Sequence, residues 1–200
     1  MDGQLTTPGR LVILNGTSSA GKTTLATAFR DERAAAGDYW LLLGIDDVLS
    51  KLPVEWLDLG LAAGCGAWSA DGLGFEPTAD GPRLRVGAVA RAIIEAYHRW
   101  VADAVRAGVN VIVDDVVVDR ATLDHWRHVL EGLAPTWVAV RCAPEIVTAR
   151  ELARGDRPLG VAGTQHRVVH HDIVYAIEVD TGVLNPAEAL DVVRRGVTPL

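Results

Sequence analysis

Lysine is nearly missing from this chain: of its 19 cationic residues 17 are arginine, and only Lys22 and Lys51 are lysine. A lysine found inside a motif that demands one therefore carries weight. Cysteine is equally scarce. Cys65 and Cys142 are the two present, far apart and without CxxC or Cys/His spacing, which excludes a disulfide framework and a zinc site. No apolar run approaches the roughly 18 residues of a membrane span, and Met1 to Arg10 contains an acidic residue but no apolar signal segment. The expectation is a cytoplasmic protein with no membrane partner. Positive charge is also in deficit, 19 cations against 26 acids for a net charge of −7. That balance argues against nucleic acid as a partner while leaving room for a local basic site.

What is present fits one domain over residues 1–200, 49% hydrophobic and 22% charged. Surface scaling allows about 70% of the unfolded chain's surface to be buried, enough to fold without staples. Short apolar runs recur at Leu11–Leu14, Trp40–Ile45, Asn110–Val118, Thr136–Cys142 and Ile173–Val179. Between them lie helix-like segments at about 22–36, 87–107, 120–131, 144–154, 164–171 and 186–195. The longest sets Val89, Ile93, Tyr97, Trp100 and Ala104 on one stripe, the pattern of an amphipathic surface helix. Five apolar strands separated by helices predict an α/β fold with a parallel sheet. Residues 59–87 break the rhythm with seven glycines, Trp68, Phe75, Pro77 and Pro82, and read as an insertion without a clean period.

Gly16-Thr17-Ser18-Ser19-Ala20-Gly21-Lys22-Thr23 satisfies GxxxxGK[ST], follows a predicted strand and opens a predicted helix. From this composition the match arises by chance about once in 600 such chains. Backbone N–H groups of such a loop and of the helix start, through Thr24, converge on polyphosphate oxygens. Lys22 reaches the β- and γ-phosphates, and the Thr23 hydroxyl is suited to ligate Mg²⁺. Val111-Ile112-Val113-Asp114-Asp115 is an apolar strand ending in acid, the pattern of a Walker B carboxylate that holds Mg²⁺ directly or through water. Asp114 is favoured because it directly ends the run, with Asp115 as the alternative.

Ile45-Asp46-Asp47 ends the second strand, where parallel sheets bind ligands. Asp46 is the candidate general base for an acceptor hydroxyl; the competing reading is that Asp46 or Asp47 caps the next helix. Arg150 and Arg154 share a helical face, with Arg157 past Gly155, so they either close over phosphates or form a solvated charged turn. His166, His170 and His171 read as surface or packing residues. Trp56, Trp68 and Phe75 either wall an acceptor pocket or pack the insertion onto the sheet.

Leu14-Asn15-Gly16-Thr17-Ser18-Ser19-Ala20-Gly21-Lys22, Gly44-Ile45-Asp46 with Leu52-Pro53, Ile112 to Val116, Ala153-Arg154-Gly155-Asp156-Arg157, and Val174-Tyr175 with Glu178 to Thr181 together resemble the chloramphenicol phosphotransferase-like P-loop kinases. The likeness runs from about Leu11 to Val193. It implies a three-layer, nucleoside-monophosphate-kinase-like fold with a parallel five-stranded sheet, ATP and Mg²⁺ as cofactors, and transfer of the γ-phosphoryl group to a small-molecule hydroxyl. Asp46 would be the base. Arg154 and Arg157 would belong to a lid within 144–171, and Asp180 and Thr181 would lie toward the adenine. Asp47 stands where the family has a small residue, and residues 54–85 are longer and differently composed. Activity class therefore transfers better than substrate: chloramphenicol or another natural product, a nucleoside or a sugar all stay open as acceptors, as do a non-catalytic nucleotide-binding regulator and a homo-oligomer.

Overall fold

The computed structural model describes residues 7–53, 56–58, 71–155 and 158–197. Its elements follow in the order β1 (Leu11–Asn15), α1 (Lys22–Ala35), β2 (Leu41–Gly44), α2 (Ile45–Leu49), β3 (Leu57–Asp58), β4 (Leu73–Thr78), β5 (Gly81–Val86), α3 (Ala88–Arg106), β6 (Val111–Asp115), α4 (Arg120–Val129), β7 (Thr136–Arg141), α5 (Pro144–Arg154), α6 (Val161–His166), β8 (Ile177–Asp180) and α7 (Pro186–Gly196).

Five strands form one parallel sheet in the order β2-β6-β1-β7-β8. Both faces are covered, which is why the strands read as continuous apolar runs. Val12 and Leu14 pack with Leu25, Phe29 and Val193 on one side, whereas Leu11 and Ile13 pack with Tyr97, Val101 and Trp126 on the other. The two-residue alternation of a strand thus feeds two separate cores, and the fold has three layers.

At the amino ends of the strands, the Asp38 carboxylate accepts hydrogen bonds from Arg10, Arg33, Trp40 and Asn110. Burial works against its ionisation, but the bonds from Trp40, Arg33 and Arg10 hold its carboxyl down at about 2. This clamp fastens β1, α1, β2 and β6 at the end opposite the phosphate loop.

Several expectations shift. The stripe on α3 is rotated: Ala90, Ile94, Tyr97, Val101 and Val105 are buried, whereas Trp100 is 52% exposed. The face of α3 that packs on β1 and β6 is one position round from the predicted one, and the largest apolar side chain need not lie on the buried face. The segment without a clean period is partly a β-hairpin, with β4 and β5 antiparallel from Leu73↔Val86 to Thr78↔Gly81 and β3 alongside. Proline and glycine within both strands hid their alternation. The 164–171 helix is α6, which starts at Val161 and ends at His166. The last strand is Ile177–Asp180 rather than 173–179. Cys142 is a buried free thiol; Cys65 and Trp68 lie outside the described residues.

Candidate active site

The phosphate loop connects β1 to α1 at the carboxyl edge of the sheet. Gly16 lies against β7: a Cβ there would meet the Val140 carbonyl oxygen at 2.3 Å, so no other residue fits without moving the strand. Gly21 takes φ +90 and opens α1 with no side chain capping the helix and no acid in its first turn. The N–H groups of that turn and the positive end of the helix dipole are thus left for an anion. Ser18, Ser19, Gly21, Lys22, Thr23 and Thr24 border a cavity of about 770 Å³. Thr17 and Ala20 are buried behind it.

Lys22 is only 6% exposed, and its ammonium donates to Thr17 O at 2.9 Å and lies 3.7 Å from Asp114 Oδ1. A charge so far from water needs such partners. The Thr23 hydroxyl donates to Asp114 Oδ2 at 2.5 Å. Two oxygens that converge this way, one neutral and one anionic, are a fitting hard-donor pair for Mg²⁺. Asp115 points the other way: it is 3% exposed and accepts Trp126 Nε1–H and Val116 N–H, both at 2.7 Å. Burial pushes its carboxyl up to about 6, against the lowering effect of those bonds. Of the two acids, Asp114 is the one that borders the large cavity.

Glycine at 44 ends β2, and α2 begins at once. The capping falls to Asp47, whose Oδ2 accepts the Gly44 N–H at 3.2 Å. Asp46, one residue earlier and exposed, borders the large cavity and also a second one of about 230 Å³. Leu49, Leu57, Leu73, Phe75, Leu84 and Ile94 give this second cavity apolar walls. Phe75 therefore walls a pocket, whereas Trp56 does not border either cavity.

Arg150 donates to Thr181 O at 2.9 Å and Thr181 Oγ1 at 3.2 Å, while Thr181 Oγ1 donates to Ala20 O at 2.6 Å. The guanidinium is thus braced against the loop it faces. Arg154 borders the same cavity one turn later. Asp180 does not border it; its Oδ1 accepts Gly182 N–H at 2.8 Å and shapes the turn before α7. Arg157 lies outside the described residues. His166 and His171 are exposed, and His170 shares a hydrogen bond with Tyr175 Oη at 2.9 Å.

Sequence reasoning missed Leu184, Pro186 and Ala189, which border the large cavity, and Gln165, which borders the small one. None belongs to a motif, and Gln165 reaches Ser18 across 147 residues of chain, so no local signal could have found it.

The chloramphenicol phosphotransferase-like protein family matches residues 9–198. A Mycobacterium tuberculosis protein named "Putative O-phosphotransferase" is 38% identical over 178 residues, covering 86% of this chain and 75% of that protein. Among solved structures, the Mycobacterium tuberculosis APS kinase in complex with AMPPNP and APS superposes with a TM-score of 0.65 at 13% identity, covering 95% of this chain and 98% of that one. A gluconokinase from Sinorhizobium meliloti superposes with a TM-score of 0.56 at 15% identity, covering 96% and 92%. These likenesses carry the fold, that of P-loop kinases, while the sequence match carries the family. The chain belongs to the chloramphenicol phosphotransferase-like family.

Proposed function

We propose that the protein is an ATP-dependent O-phosphotransferase that moves the γ-phosphoryl group to the hydroxyl of a small molecule that has an apolar body and carries no negative charge. The observation that carries this reading is Asp46, which borders both the phosphate-loop cavity and the apolar cavity. A carboxylate at that junction is suited to orient an acceptor hydroxyl in line with the γ-phosphate and to take its proton. Lys22, Arg150 and Arg154 would hold the triphosphate and offset the charge on the transferring group. Thr23 and Asp114 would hold Mg²⁺, which would supply positive charge against the phosphates.

Charge narrows the acceptor. No Lys or Arg borders the small cavity among the described residues, and the sequence from Leu52 to Pro82 has neither. A carboxylate- or phosphate-bearing acceptor would enter there without a counter-charge, at high desolvation cost. Chloramphenicol is compatible with these walls, as are other neutral aryl or alkyl alcohols.

The test is phosphate transfer from γ-labelled ATP with Mg²⁺ across neutral aryl and alkyl alcohols, chloramphenicol, aminoglycosides, nucleosides, sugars and hydroxy acids. Labelled product is expected with the neutral apolar alcohols. Transfer only to hydroxy acids or sugars would overturn the acceptor assignment, and nucleotide binding with no transfer to any hydroxyl would overturn the enzyme reading.

A further inference from the structure

One buried polar side chain outside every motif touches both halves of the site. Gln165 on α6 is 6% exposed, and its Oε1 accepts the Ser18 N–H at 2.7 Å. Ser18 is in the phosphate loop and borders the large cavity, while Gln165 borders the small one beside Asp46. A buried N–H deprived of its acceptor has no water to turn to, so the loop is held to the carboxamide.

The same helix carries the dock for the hairpin that walls the small cavity. The Thr164 hydroxyl lies 2.7 Å from the Pro82 carbonyl oxygen, and Arg167 Nη2 donates to Asp80 O at 2.8 Å. A Cβ built on Gly160 would sit 3.1 Å from Pro82 Cδ, so the hairpin turn and the start of α6 are in close contact. On its other side α6 is fastened to α5: Glu151, 2% exposed, accepts the N–H groups of Gly160 at 2.7 Å and Ala162 at 2.8 Å. Hairpin, α6 and α5 are thus joined by short contacts, all but the exposed Arg167–Asp80 one between buried or half-buried groups, and packed elements shift as units rather than deform.

We propose that Gln165 is a positioning residue that couples occupation of the acceptor cavity to the geometry of the phosphate loop. A molecule pressing on Phe75 and Leu84 moves the hairpin; the hairpin moves α6, and Gln165 carries the shift to Ser18. The assignment of the small cavity to the acceptor rests on the phosphotransferase reading above, whereas the path from the hairpin to the loop does not.

The test is calorimetric titration with Mg·AMP-PNP of the wild type, Gln165→Met, Thr164→Val and the double variant, with circular dichroism to verify folding. Gln165→Met keeps the side chain's bulk without its acceptor oxygen and is expected to weaken AMP-PNP binding about 10-fold. Thr164→Val, whose hydroxyl faces only the hairpin and its own helix, is expected to weaken it about threefold alone and to add nothing in the Gln165→Met background. With an alcohol that accepts phosphate, AMP-PNP affinity should rise in the wild type and stay flat in Gln165→Met, and KM should suffer more than kcat. Unchanged AMP-PNP affinity in folded Gln165→Met, or additive effects of the two substitutions, overturns the coupling. Should Gln165→Met fail to fold, wild-type affinity in Thr164→Val overturns it by itself. Absence of any accepting alcohol, with the nucleotide results as expected, sinks the phosphotransferase reading and leaves the coupling standing.

Discussion

Asp46 and Asp47 are neighbours in one short helix with different surroundings, so substituting them separately should split catalysis from folding. Asp46→Asn keeps the shape at the junction of the two cavities but removes the carboxylate proposed to accept the hydroxyl's proton. Loss of a general base costs about 10²–10⁴-fold in kcat, roughly 3–5 kcal/mol of barrier, with little effect on nucleotide affinity because the N–H groups and Lys22 are untouched. Asp47→Ala instead deletes the acceptor for Gly44 N–H, a long contact of 3.2 Å at an exposed helix start. Such a cap is worth about 0.5–1 kcal/mol, equivalent to roughly 1–4 °C in Tm for a chain of this size. Turnover in that variant should fall less than about fivefold. The assay pairs transfer from γ-labelled ATP to the best alcohol with a thermal melt of each variant. If Asp47→Ala lost more turnover than Asp46→Asn, or if Asp46→Asn bound AMP-PNP more than tenfold weaker, the division of labour argued from the geometry would be wrong.

Two more outcomes follow from the site and its support. Asp114→Asn removes the anionic oxygen that meets Thr23 Oγ1; the Mg²⁺ concentration for half-maximal transfer should rise about 10–100-fold, read by metal titration of the initial rate. His98 is fully buried, stacks on Trp126 at 3.8 Å and faces His125, Arg91, Arg99 and Asp115. Burial first, then the charge of His125, Arg91 and Arg99, lowers it from 6.5 to about 3. The unfolded chain takes up the proton and the folded one refuses it, so this stability is present above pH 6.5 and drains away as pH falls toward 3, by about 2 kcal/mol between pH 7 and 5. Asp115, raised to about 6, works in the opposite sense, adding stability as pH falls from 6 toward 4. Urea denaturation at both pH values should show a shallower acid loss in His98→Phe than in the wild type, and parallel losses would refute the assignment.

Legibility in the sequence followed the range of the interaction. Gly21, Lys22 and Thr23 sit within one loop and helix start, and their spacing with Gly16 picked out the loop that borders the large cavity. Strand–helix alternation likewise foretold a parallel sheet, because burial on both faces leaves unbroken apolar runs. The hairpin at 73–86 escaped notice since proline and glycine interrupt its alternation, and the α3 stripe was misread by one position because helical period does not say which of two adjacent faces the neighbours cover.

By itself, then, the order of residues determined the fold class, the GxxxxGK[ST] loop and the family likeness, all of which are written in short-range patterns. Only the tertiary structure decided that Asp114 borders the large cavity while Asp115 is bound to Trp126, that Asp47 caps while Asp46 borders both cavities, and that Gln165 holds Ser18. Adjacent aspartates are chemically identical along the chain. What distinguishes them is the direction each side chain takes from its strand or helix and the partners that distant segments bring to it.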